Sequence, residues 1–309
     1  MIKLRNAYYC NLKLFLIFLV ILGHFIEPQI GKSPALYRLY RTIYLFHMPL
    51  FAFVSGLFLK DPAGCLRQLK RLLPRYLIFQ AAAVLLKQTA WHTPWWVLWY
   101  LLSTCFWLGA SALLLKWKGG KWLILLLALA LGCLSGNANR IGRAFSLSRT
   151  IVFFPWFWLG VSLTPRIPWH RLRLPGLLAL IGVIVSRPVM PAAVLYQAGP
   201  CDPLLRLRCY ALAAALGLFV LSWCPARRFP WTRAGADTMP AYLLHGPAVA
   251  LLRPVPHPVL ATVLFLYIIH KATQWHSIYG ITGKEEGSWP DLKTYTKPRA
   301  SRFTGSSWP

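Results

Sequence analysis

Acidic residues are almost missing from this chain of 309 residues: seven Asp and Glu stand against 34 Lys and Arg, and charged residues together make up only 13%. A soluble globular domain carries roughly twice that charged fraction. The shortage excludes an ordinary soluble enzyme and a disordered chain, both of which depend on charge for solvation. No C-x-x-C pair is present, and the seven cysteines are an odd number. A disulfide scaffold, a zinc ribbon and a redox motif are thereby set aside. Cys10, Cys105, Cys133, Cys209 and Cys224, in or beside apolar runs, read as buried free thiols. No internal repeat of fixed period is visible. A net charge of +27 would suit a nucleic-acid binder on a polar background, but 57% of this background is apolar and fifteen residues are Trp. Nucleic acid is therefore not the expected partner.

What the chain does have is long apolar runs with basic residues between them, the pattern of an all-α, polytopic integral membrane protein. Runs long enough to cross a bilayer lie near 12–26, 43–59, 72–86, 95–115, 122–134, 151–163, 174–185, 207–223, 238–252 and 259–270. That predicts about ten transmembrane helices. Lys3 and Arg5 precede the first run, but Gly23-His24-Phe25 is not a small-residue cleavage site, so an uncleaved first helix is expected. With the N-terminus inside, the inner segments hold fifteen Lys and Arg and the outer loops eleven. The positive-inside bias then favours a cytoplasmic N-terminus, in the inner cell membrane. The run Trp91-His92-Thr93-Pro94-Trp95-Trp96-Val97-Leu98-Trp99-Tyr100 reads as an interfacial aromatic belt. From Lys271 the composition turns to Gly, Ser, Pro, Lys and Thr, so residues 1–270 form the membrane domain and 271–309 a polar, disordered tail.

Ionisable groups inside membrane spans are costly and mark function. On a helix, Lys13 and His24 differ by about 20° around the axis and are separated by roughly 16 Å along it. Glu27 follows His24 at i+3, where a carboxylate can fix the tautomer of an imidazole acting as a general base. His47 lies in the second span ahead of Pro49, with Ser55-Gly56 permitting close helix approach. In the ninth span Thr238, Tyr242 and His245 fall within about 60° of one another, with Asp237 and Thr238 suited to an N-cap. Arg71 and Arg75, four apart, put two guanidiniums on one helix face, an arrangement suited to phosphate. Arg67 and Lys70 read instead as a positive-inside anchor. No metal-ligand spacing surrounds any of these residues. Packing alone offers a plainer account of each stripe: Lys13 snorkels, and the His and Tyr side chains bond neighbouring helices.

The Lys13-x10-His24 spacing, the stretch from Ile43 through His47-Met48-Pro49 to Ser55-Gly56, the Arg71-x-x-x-Arg75 pair, the stretch Ser146 to Phe157 and Tyr242-Leu243-Leu244-His245 together resemble the membrane acyltransferase-3 family. The nearest likeness is to its fucose 4-O-acetylase-like subgroup, over about residues 5–270. The resemblance implies transfer of an acyl group, usually acetyl from acetyl-CoA as co-substrate, to a hydroxyl of a sugar beyond the membrane. It places the CoA phosphates on Arg71 and Arg75, with Lys13 where many members carry Arg. The pantetheine arm then runs along the Lys13–His24 face. His24 is the expected base, oriented by Glu27, while His47, Arg149, Tyr242 and His245 are expected at the acceptor or the oxyanion. Asn137, Asn139, Arg140 and Arg143 are further candidates for acceptor recognition. Two other readings stand beside it: a multi-span transporter of a small polar solute using intramembrane His, Lys and Glu, and a non-catalytic subunit of a cell-envelope assembly.

Overall fold

The computed structural model describes residues 7–117, 120–137, 144–186, 201–251 and 257–278. Among the described residues the chain is helical, without strands. Ten α-helices are found among the described residues: α1 (Ala7–Ile26), α2 (Pro34–Gly56), α3 (Pro62–Leu85), α4 (Trp99–Leu114), α5 (Lys121–Leu134), α6 (Leu147–Ser162), α7 (Arg173–Ser186), α8 (Pro203–Trp223), α9 (Met239–Leu251) and α10 (Pro258–Ile278). Each apolar run expected from the sequence overlaps one of them. By length and composition, four helical stretches can cross a membrane: Ala7–Gln29, Ala144–Ser162, Trp169–Ser186 and Pro203–Trp223. The last helix continues through Lys271 to Ile278, and residues 279–309 lie outside the described residues.

The helix starts explain where the scarce acids went. Asp61 Oδ1 accepts from Gly64 N at 2.7 Å ahead of α3, and Asp202 Oδ1 accepts from Leu204 N and Leu205 N at 2.9 and 3.1 Å ahead of α8. Asp237 Oδ1 accepts from Met239 N at 3.1 Å at the head of α9. Proline occupies the first position of α3 and α8, where its missing N–H costs nothing. Three of the four described acids thus cap helices, each cap being worth about 1 kcal/mol. Glu27 is the fourth, and it caps none.

Glycine sets the closest helix crossing. A Cβ at Gly56 of α2 would strike the Phe157 carbonyl of α6, and one at Gly160 of α6 would strike the Phe53 carbonyl of α2. Lys60, just beyond α2, then donates to the carbonyls of Gly160 and Val161, at 3.0 and 2.8 Å, and to that of Leu163. These end the α6 ladder with a cation, as helix C-termini favour. Burial pulls the Lys60 pKa down to about 8, with Lys121 adding to the effect.

Helix α1 runs through the middle of the packing. Ile17, Val20, Ile21 and Phe25 join one apolar cluster, and Leu12, Leu16, Leu19, Leu22 and Ile26 the other. At its start, Asn11 accepts from Thr232 Oγ1 at 2.7 Å and donates to the Pro225 and Arg227 carbonyls at 2.9 and 3.0 Å. The two-turn 3₁₀ segment Pro230–Gly235 is thereby pinned to α1. Helices α5 and α7 face outward, with Leu126, Leu131, Ile184 and Val185 all more than half exposed, a surface suited to lipid. All seven cysteines are free; five are buried, and Cys133 and Cys224 half-buried.

Candidate active site

His24 occupies the last turn of α1, and Glu27 opens the single turn that follows. The i,i+3 spacing brings Glu27 Oε2 to 3.2 Å from His24 Nδ1, with the two side chains 14% and 30% exposed. Tyr44 Oη of α2 stands 3.3 Å from the same nitrogen. A carboxylate can only accept, so the proton belongs on Nδ1, shared with the tyrosine oxygen, and the Nε2 lone pair is left as the basic position. The Trp96 ring meets the imidazole edge-on at 4.7 Å. The ring therefore faces protein on several sides.

Two further imidazoles arrive from other helices. His245 of α9 is fully buried, its ring centroid 5.2 Å from that of His24. Its Nδ1–H donates to the Tyr242 carbonyl at 2.5 Å, and its Nε2 is buried without a hydrogen-bond partner among the described residues. His47 of α2 is also buried; its Nδ1–H donates to the Ile43 carbonyl at 2.6 Å, and its ring lies 4.9 Å from that of Tyr44. With Nδ1–H committed to a carbonyl, each neutral ring offers only an acceptor at Nε2. A neutral ring so disposed can take a hydrogen bond from a hydroxyl; it has no donor for an oxyanion. Tyr242 donates its hydroxyl to the Val97 carbonyl and packs its ring 5.5 Å from His245. It holds that imidazole in place.

The Lys13–His24 face of α1 is closed between its ends. Ile17 and Val20, on the same side, are 0% and 3% exposed and belong to the core. Lys13 itself is buried and donates to the Ala236 carbonyl at 3.0 Å, one residue before the Asp237 cap of α9. It thus ties α1 to the helix that carries His245. On α3, Arg71 is exposed and Arg75 half-buried; that helix packs chiefly on α4.

Arg149 belongs to a separate but adjoining feature, a cleft of about 330 Å³ whose lining includes Trp95, Trp96, Trp99, Ser146, Ser148 and Arg149, together with Gln88, Thr89 and Thr93. Its guanidinium carbon lies 4.9 Å from the Trp99 ring centroid. Trp96 is common to the cleft and to the surroundings of His24. Sequence reasoning assigned these tryptophans to an aromatic belt and missed Tyr44. The only available signals were the Tyr44–His47 spacing of one helical turn and the density of Trp in the run from Trp91. Asn137 closes the turn Ser135–Asn137, whereas Asn139, Arg140 and Arg143 lie outside the described residues. Among the described residues no three His, Cys, Asp or Glu side chains are grouped to hold a metal ion.

A carboxylate-oriented imidazole beside two acceptor imidazoles and an aromatic cleft is equipped to take a proton from a hydroxyl group. No curated protein and no solved structure matches the chain. The family comparison does, through a model described as an acyltransferase domain that aligns with residues 6–269. Across the helices that build this site, the chain belongs to the acyltransferase-3 family.

Proposed function

We propose that the protein is a membrane O-acyltransferase that moves an acetyl group from cytoplasmic acetyl-CoA to a hydroxyl of an extracytoplasmic sugar. Ten crossings with the N-terminus inside carry His24 to the outer half of the membrane. The likeness to fucose 4-O-acetylase-like proteins supports a sugar acceptor. The observation that carries the reading is the contact between His24 Nδ1 and Glu27, the one described acid not used to cap a helix.

In this mechanism His24 Nε2 removes the acceptor proton as the oxygen attacks the thioester carbonyl. The C–O bond forms, the C–S bond breaks, and the proton passes from the imidazolium to the leaving CoA thiolate. Glu27 holds the tautomer and stabilises the imidazolium. A positioned base of this kind contributes about 10²–10⁴-fold. His245 Nε2, an acceptor with no hydrogen-bond partner among the described residues, orients the hydroxyl, with His47 and Tyr242 in support. The Tyr44 hydroxyl is of the right type to donate to the oxyanion. Arg71 and Arg75 hold the CoA phosphates, and Lys13 adds its charge at the same end. Passage of the pantetheine arm requires the packing over Ile17 and Val20 to open.

The test is transfer of labelled acetyl from acetyl-CoA to envelope glycans in membrane vesicles. Loss of transfer in His24→Ala at unchanged protein level is the expected result. Retained transfer overturns the assignment of the base.

A further inference from the structure

Beside the catalytic cluster, the cleft carries a chemistry that the acyl-transfer reading does not by itself specify. We infer that it is the acceptor subsite and that it is built for an acidic carbohydrate, whose ring rests on Trp96 and Trp99 and whose carboxylate or phosphate meets Arg149. The inference rests on the acyltransferase reading for its place in the reaction, but not for its test.

Three observations carry it. The first is composition: three indoles and several hydroxyls form the walls, and among the described lining residues Arg149 is the only charged one. Broad aromatic faces with a few convergent polar groups are what a small polar ring needs. A guanidinium carries five donors in one plane, a geometry that matches a planar oxyanion bidentately.

The second is rigidity. Gln80 of α3, itself 5% exposed, clamps the wall through Nε2 to the Thr93 carbonyl at 2.8 Å and accepts from Trp95 N at 2.9 Å. On the opposite side Ser103 Oγ joins Thr150 Oγ1 at 2.8 Å and Ser146 Oγ at 3.3 Å, and Trp107 Nε1 donates to the Thr150 carbonyl at 2.8 Å. Phe145 and Ser146, leading into the turn that bears Arg149, have φ of 51° and 57°. Successive non-glycine residues in the left-handed region are costly, and such strain gathers at binding sites.

The third is position: Trp96 is shared by the cleft and the His24 imidazole, so a ring held in the cleft lies one indole away from the base. A chain of net charge +27 adds long-range attraction for a polyanion.

The test is calorimetric titration of the purified full-length protein in detergent with a glucuronic acid tetrasaccharide and with its carboxyl-reduced counterpart. We expect the acidic form to bind about tenfold more tightly or better, the size of a charge-assisted guanidinium contact. Arg149→Gln should erase that preference, and Trp99→Leu should weaken both probes alike. Equal binding of the two probes by the parent, no binding of either, or a preference unchanged in Arg149→Gln would each overturn the subsite. So would competition by short-chain phosphatidylglycerol with no binding of the sugar. The comparison of probes on the unaltered protein stands even where a variant fails to fold. If the preference holds but the parent transfers no acetyl, the enzyme reading fails and the acidic-sugar site remains.

Discussion

Three imidazoles share this site, and hydrogen bonding gives each a different task. His24 alone faces a carboxylate through Nδ1, whereas His47 and His245 spend their Nδ1–H on carbonyls one turn back in their own helices. Replacement should therefore be unequal. His24→Ala should lower transfer by about 10²–10⁴-fold. Glu27→Gln, which removes the charge but keeps the shape, should fall near the lower end of that range, with thermal stability unchanged in a melting assay. Lys60→Met should act on stability instead. It strips donors from the carbonyls of Gly160, Val161 and Leu163, at a cost of about 1–3 kcal/mol, read as a lower melting temperature in detergent. At this scale the His24–Glu27 pair was legible because three residues make less than one helical turn. Tyr44 and Trp96 were not, since a contact from another helix leaves no mark in the spacing around His24.

Between elements, the closest approach is set by small residues rather than by large apolar ones. Gly56 and Gly160 let α2 and α6 bring backbone against backbone, each with a carbonyl of the other helix where its Cβ would sit. Gly160→Ala should therefore destabilise the protein. Gly182→Ala in α7, with nothing near its Cβ position, should be neutral or gain up to about 1 kcal/mol of helix propensity. A matched pair of thermal melts checks both. The crossing matters to the site because α2 carries Tyr44 and His47. Helix α9 is held from the other side by the Asp237 cap and by Lys13 on the Ala236 carbonyl. Lys13 was read from the sequence as part of the donor site. Its observed contact gives it a second task, positioning the helix that bears His245. Lys13→Met should accordingly loosen α9 as well as reduce transfer, seen as faster amide exchange over 239–251.

For the whole molecule, the proposed ten crossings put the loop around Thr89 outside and Lys116 inside. A cysteine placed at Thr89 should react with an impermeant maleimide in intact cells. One placed at Lys116 should react only after the membrane is opened, with labelling scored in a background whose native thiols are replaced. The reverse pattern would invert the orientation and remove acetyl-CoA from the donor side. The sequence by itself determined the helical segments, their apolar character and the polar stripe of α1. Each of these follows from composition and from the helical repeat within one segment. Only the tertiary structure decided that α1 would lie between two apolar clusters, that His24 would meet His245 across 221 positions of chain, and that Trp95, Trp96 and Trp99 would line a cleft instead of merely marking an interface. Apolar helices can pack in many pairings of nearly equal burial, and the choice among them falls to glycine crossings, caps and buried hydrogen bonds that act between distant segments.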